Sequence, residues 1–246
     1  MNDSVAIIIL AAGKGTRMKS EKAKVLHSVS GCPMIMHVVE TAAKVTGKEI
    51  IIVIGHQAES VRSVVSEKAD VKFALQMEQN GTGHAVQCAL PELSEKCANV
   101  VILSGDVPLI KSITISGLIS DHVNNDNDVT VLGVCFENPF GYGRIVENIS
   151  GRVEKIIEET DADDIQKKIN IVNSGIYCVK RPFLEFALSQ VKSNNNQNEI
   201  YLTDIVEIAN NEDKKIGLKI CEDQSEVMGI NSSEDLLKIE SMLMAS

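Results

Sequence analysis

The feature that most constrains this chain is the run Val5-Ala6-Ile7-Ile8-Ile9-Leu10, which carries no polar position and passes directly into Ala11-Ala12-Gly13-Lys14-Gly15-Thr16-Arg17-Met18. Unbroken β-branched and Leu residues suit a strand buried on both faces of a parallel sheet. A polar, glycine-bearing loop at the carboxyl end of such a strand lies where open α/β sheets place their ligands. The rest of the first half alternates in the same way. Strands are predicted at Glu49–Ile54, Val71–Leu75 and Asn99–Leu103, and helices from Pro33 to about Lys44, at Gln57–Ser66 and at His84–Leu90. Alternating strands and helices predict an α/β, doubly wound, mostly parallel sheet. The second half is less regular. Strands are expected at Val129–Phe136 and Ile169–Val179, a hairpin at Arg144–Asn148 and Arg152–Ile157, helices at Pro182–Val191 and Thr203–Ala209, and a polar loop at Ser193–Asn198. The expectation is one domain over residues 1–231 with a mixed β insertion at the sheet edge, followed by an amphipathic helix, Ser232–Met244, within 232–246.

Charge narrows the ligand. A net charge of −10 argues against a nucleic-acid or anionic-membrane surface, yet Lys14, Arg17, Lys19, Lys22 and Lys24 cluster against Glu21 alone. A cationic island in an acidic protein suits a small phosphorylated ligand. The apolar run Val5–Ala12 is too short to span a bilayer and no signal sequence precedes it, so the expected location is cytoplasmic. The six cysteines show no C-x-x-C pair, which fits free thiols in a reducing compartment.

The glycine loop is neither of two common phosphate motifs. Met18 stands where the dinucleotide fingerprint needs its third glycine, and no segment reads G-x-x-x-x-G-K-[ST]. Small residues there still let backbone N–H groups approach a phosphate or base. Asp106, at the end of the Asn99–Leu103 strand, is placed where a hard cation could bridge phosphate oxygens, although a turn-capping role explains it equally. Gln76 could read a base edge, a hairpin-like turn being the alternative. The five histidines form no H-x-x-x-H pair, and no Ser-His-Asp or Cys-His arrangement is apparent.

The run Leu-Ala-Ala-Gly-Lys-Gly-Thr-Arg-Met at 10–18, with Lys-Val-Leu-His at 24–27, resembles the opening of the sugar-phosphate nucleotidyltransferases. It is most similar to the uridylyltransferase domain of bacterial N-acetylglucosamine-1-phosphate uridylyltransferases. The likeness continues through Gln76–His84, Gly105–Leu109, Gly141–Ile145, Asn173–Gly175, Tyr201–Asp204 and Gly229–Asn231. This resemblance implies a Rossmann-like fold of the nucleotide-diphospho-sugar transferase type. It implies uridylyl transfer from UTP to N-acetylglucosamine 1-phosphate with Mg²⁺, giving UDP-N-acetylglucosamine and pyrophosphate for peptidoglycan and cell wall synthesis. It casts Arg17, Lys24 and Asp106 as catalytic, and Asp106 with Asn231 as metal ligands. Leu10, Ala11, Ala12, Gly13, Lys24 and Gly105 would line the nucleotide site, Gln76, Gly81 and Thr82 would read the base, and Gly143, Glu158 and Asn173 the sugar, with Thr203 and Asn231 beside the substrates. Another sugar 1-phosphate, or CTP, is the alternative substrate; a noncatalytic nucleotide-sugar-binding regulator is the alternative class. No hexapeptide repeat of the bifunctional members' acetyltransferase domain is present, so the chain is expected to lack that activity and to act as a monomer or weak dimer. Two positions depart from the family pattern. Ala23 replaces a proline, which predicts a looser loop before Lys24, and Ser104 replaces a common tyrosine.

Overall fold

The computed structural model describes residues 5–193 and 195–244. Strand β1 (Val5–Ala11) leads through two short 3-10 turns and a small hairpin of β2 (Ser28–Val29) and β3 (Cys32–Pro33) to helix α1 (Met34–Thr46). Then follow β4 (Ile50–Ile54), α2 (Ala58–Ser66), β5 (Lys72–Leu75), α3 (Thr82–Ala89), β6 (Asn99–Ser104) and α4 (Ser112–Asn124). The second half contains β7 (Val129–Cys135), β8 (Arg144–Glu147), β9 (Val153–Ile157), β10 (Ile171–Lys180), α5 (Arg181–Gln190), α6 (Asp204–Asn211), β11 (Ile216–Cys221) and α7 (Ser233–Met244). Every expected element forms within a few residues of its expected ends. In the Ser193–Asn198 loop, Asn198 N bonds Asn195 O at 3.1 Å, and Asn194 lies outside the described residues, as do residues 1–4, Ala245 and Ser246. Helix α4 and edge strand β11 have no counterpart in the sequence expectation.

The sheet runs β11-β7-β10-β6-β1-β4-β5, and along it only β10 is antiparallel to its neighbours. The hairpin β8–β9 hangs on β10 through the Val172–Arg144 pair, forming the mixed β insertion. Side-chain alternation in β1 sends Ile7 and Ile9 to a core shared with α1, α2 and α4. Ala6 and Ile8 face the opposite core, built with α3, α5 and α6. This is double winding, and it explains why β1 carries no polar residue. The chain runs outward from β1 through β4 to β5, then returns to β6 on β1's other side. The crevice this opens lies at the carboxyl ends of β1 and β6, the switch point where such sheets bind ligands.

Helix α7 packs back on the domain. Ile239 is fully buried with Met18, Val29, Met34 and Ile230, and Leu236 lies against the same cluster. The helix starts with a reciprocal cap: Asp235 accepts from Ser232 N at 2.8 Å, and Ser232 Oγ accepts from Asp235 N at 3.2 Å. Ile239→Ala should destabilise the protein by about 2–5 kcal/mol, the range for a truncated core aliphatic. Urea unfolding measures this, and a loss under about 1 kcal/mol would mean the helix end is already loose.

Beneath the sheet, His122 is buried with Nδ1 2.9 Å from Thr130 Oγ1 and Nε2 3.2 Å from Asn99 Oδ1. Burial, reinforced by Lys180, lowers its pKa to about 4. The folded imidazole therefore stays neutral while the unfolded one protonates below about 6.5. Stability from this group is present above that pH and is lost as pH falls towards 4, by roughly 3 kcal/mol in all. The advantage of the parent over His122→Gln should shrink between pH 7 and pH 4 in paired urea titrations. A constant difference would refute the assignment.

Candidate active site

The glycine loop is shaped by the chain that crosses it. Gly15 adopts φ +62°, and a Cβ there would lie 2.5 Å from Lys24 Cβ, so only glycine lets Lys24 cross this close. Gly13 faces open space and leaves its backbone accessible. The loop base is pinned by Gly105 N to Leu10 O at 2.9 Å and His56 N to Ala12 O at 3.0 Å. Above it lies a cavity of about 520 Å³, lined by Leu10, Ala11, Ala12, Gly13, Lys14, Lys24, Gln76, Gly81, Thr82, Ser104 and Asp106, among others.

At one end of the cavity two oxygens meet two cations. Lys24 Nζ bonds Asp106 Oδ2 and lies 3.1 Å from Asn231 Oδ1. Arg17 donates to the same Asn231 oxygen at 3.0 Å. Backbone pairing holds the acceptors together, since Ile230 N donates to Asp106 O at 2.9 Å, and Asp235 fixes Asn231 N at 2.9 Å. Asp106 and Asn231 are separated by 125 positions, yet their side chains converge on one ammonium group. One carboxylate and one amide oxygen already shared by a cation are a donor set that fits Mg²⁺, which takes few protein ligands and fills its octahedron with waters and phosphate oxygens. Among the described residues no group of three or more His, Cys, Asp or Glu could hold a metal, so a purely protein cage is absent there.

Gln76 is buried under the cavity. Its Nε2 donates to Gly81 O at 3.0 Å and lies 3.2 Å from His84 Nδ1. With the amide nitrogen engaged on both sides, the carbonyl oxygen remains for a ligand. Gly81 and Gly83 leave room for the segment Glu199–Ile200, where Gly83 N donates to Ile200 O at 2.7 Å. Thr82 Oγ1 accepts from Leu202 N at 3.0 Å, tying this region to the second half.

That second half gathers Gly143, Glu158, Asn173 and Thr203. Asn173 N donates to Gly143 O at 2.8 Å, and Thr203 donates to Glu158 Oε1 at 3.2 Å. Glu158 Oε2 would be 3.5 Å from a Cβ on Gly143. A register shift in β10 between Asn173 and Ile176 turns Gly175 towards Ser104 at the end of β6. Asn173 is braced by Tyr177, whose hydroxyl accepts its Nδ2 at 2.7 Å. Burial raises the Glu158 pKa, opposed in part by the Thr203 hydroxyl. Burial, with repulsion from Glu207 and Glu158, pushes Asp204 up to about 6. Glu158 and Asp204 line a second cavity, where both shifts disfavour added negative charge.

The predicted residues thus form two connected groups, one beneath the β1 and β6 ends and one around β8–β10. Correction is needed at Ala23. The expected loose loop is instead held, with Ala23 buried at 1% exposure and its N–H bonded to Gln57 Oε1 at 2.9 Å. Sequence reasoning missed Gln57, Asp235, Tyr177 and Glu199. Only Asp235 carried a local signal, the Ser232-x-x-Asp235 cap spacing.

Fold and site together define an α/β protein with a glycine loop, two cations and a carboxylate gathered at a sheet switch point. Residues 6–224 match the family described as Nucleotidyl transferase, and the chain belongs to it. It is 45% identical over 246 residues to the bifunctional protein GlmU of Geotalea uraniireducens, covering 98% of this chain and 53% of that one. It is 44% identical over 232 residues to the bifunctional protein GlmU of Desulfotalea psychrophila, covering 94% and 68%. The chain thus spans about half the length of the first of these relatives. A solved Bacillus anthracis structure, described as a glucose-1-phosphate thymidylyltransferase in complex with a sucrose, shares the fold with a TM-score of 0.75 at 19% identity, covering 97% of this chain and 94% of that one.

Proposed function

We propose that this chain transfers a uridylyl group from UTP to N-acetylglucosamine 1-phosphate, releasing pyrophosphate. The observation that carries this reading is the convergence of Arg17, Lys24, Asp106 and Asn231 beside a cavity floored by the glycine loop. In this reading the loop backbone takes the triphosphate, Gln76 with Gly81 and Thr82 receives the uracil, and Glu158, Asn173 and Thr203 receive the sugar. Similarity to relatives named bifunctional protein GlmU supports the choice of substrates.

The chemistry needs no protein base. A sugar 1-phosphate loses its second proton near pH 6, so its oxygen is already an anionic nucleophile at neutral pH. That oxygen forms a bond to the α-phosphorus while the α–β bridging bond breaks and pyrophosphate departs. Alignment and charge neutralisation therefore carry the rate. Asp106 and Asn231 would hold Mg²⁺, which, when bound, neutralises phosphate oxygens. Arg17 and Lys24 supply cations that do not exchange with solvent, and Lys24 is released from Asp106 as phosphate charge arrives. No helix among the described residues is long and apolar enough to cross a membrane. All proposed contacts come from one chain, so we infer that specific activity stays constant on dilution whether or not a weak dimer forms.

A pyrophosphate-release assay with UTP across a panel of sugar 1-phosphates, with and without Mg²⁺, tests the proposal. N-acetylglucosamine 1-phosphate should react fastest and only with the metal. Preference for another sugar phosphate would overturn the substrate, and silence with all of them would overturn the reaction.

A further inference from the structure

Residues 19–22 are exposed and highly charged, yet they lead into one of the best-placed cations in the molecule. Among the described residues, a side chain from another element, Gln57, restrains this segment. Gln57 Nε2 donates to Glu21 O, and Gln57 Oε1 accepts from Ala23 N at 2.9 Å, so one amide clasps the backbone on both sides of Lys22. Gln57 is itself held in an uncommon state, φ +52° at the N-cap of α2, with its carbonyl taken by Ser60 N at 3.0 Å and Val61 N at 3.1 Å. Val61 and Val65 root that helix in the core. The clasp is therefore rigid, and it ends one residue before Lys24, whose ammonium reaches Asp106 and Asn231.

We propose that Gln57 is a positioning residue for uridylyl transfer, setting the path of residues 21–23 so that Lys24 meets the substrate phosphates. This rests on the reading above, in which Lys24 acts on those phosphates. In this chain a hydrogen-bonded amide does what a ring at position 23 does by covalent constraint. Ala23 has φ −52° and ψ 134°, a backbone that proline adopts readily. Proline there lacks the N–H that Gln57 binds, so the two devices are alternatives and should substitute for each other.

A double-mutant cycle separates this role from a general contribution to folding. Gln57→Ala should lower kcat about tenfold with a smaller change in KM for UTP, because small misplacements of catalytic groups are costly. Adding Ala23→Pro to Gln57→Ala should return kcat to within about threefold of the parent. In a Lys24→Ala background Gln57→Ala should have no further effect, since the group it positions is gone. Trypsin cutting after Lys19 reads the same clasp without any catalysis: Gln57→Ala should speed it and Ala23→Pro should slow it again. A Gln57→Ala enzyme within twofold of parent kcat, a loss that persists undiminished in the Lys24→Ala background, or failure of proline to rescue would each overturn the proposal. If the parent released no pyrophosphate with any sugar phosphate, the functional reading would fall with the positioning role, while faster cutting at Lys19 in Gln57→Ala would still establish the clasp.

Discussion

Asp106→Ala should remove most activity, on the order of 10²–10³ in rate, while the protein still folds. Both halves of that expectation follow from where Asp106 sits. Its backbone carbonyl pairs with Ile230 N and does not depend on the side chain, so the strand end and the Asn231 segment stay joined. Its carboxylate is partly exposed, at 17%, and its partner is the Lys24 ammonium. Truncation leaves Lys24 with the Asn231 oxygen but without its counter-charge, a cost between the ~1 kcal/mol of an exposed pair and the ~3–5 kcal/mol of a buried one. Function loses the only charged oxygen ligand of the proposed metal pair and the counter-charge that holds Lys24 over the glycine loop. Asp106→Asn separates these contributions, because it keeps an oxygen but not the charge. It should need more Mg²⁺ for half-maximal pyrophosphate release and recover part of kcat at saturation. Near-parent turnover of Asp106→Ala at limiting Mg²⁺ would refute the ligand role.

How much of this was legible in the sequence depends on the range of the interaction. Strand β1 and its glycine loop were readable because both signals are local: an unbroken apolar run and small residues at its end. The hairpin β8–β9 was readable for the same reason, with Ser150-Gly151 marking the turn. Helix α4 was not. Its sequence, Ser-Ile-Thr-Ile-Ser-Gly-Leu-Ile-Ser, is poor in strong helix formers, and what makes it helical is burial of Ile115, Leu118, Ile119 and His122 along one face. Strand β11 is a half-exposed edge whose paired residues in β7 lie 87 positions earlier, as in Ile216 with Val129, so pairing decides it rather than propensity. At the site the same division holds. The loop cations could be listed from sequence, but family resemblance, not spacing, joined Asn231 to Asp106. The Gln57 clasp left no sequence trace, because it depends on a positive φ and on a backbone N–H that matters only where proline is absent.

Arg17→Ala is expected to lower kcat by about 10²–10³ with a smaller rise in KM for the sugar phosphate. Arg17 lies in the exposed 3-10 turn Thr16–Met18, flanked by Gly15 and Lys19, both in the left-handed region. Met18, buried in the cluster under α7, anchors that turn, so the arginine side chain contributes little to folding. Its guanidinium donates to Asn231 Oδ1 at 3.0 Å, and in the proposed reaction its further N–H groups would serve phosphate oxygens. In the proposed reaction a cation at that position would oppose charge that grows as pyrophosphate leaves, and such a group acts mainly in the transition state. Arg17→Lys should therefore rescue only in part, because a point charge keeps the electrostatic term but cannot bridge Asn231 and a phosphate with one planar fork. Steady-state kinetics on both variants at saturating Mg²⁺ decide the matter. A pure KM effect in Arg17→Ala would make the residue a ground-state binder of substrate, and full recovery in Arg17→Lys would show that charge alone, without the fork, is what the reaction needs.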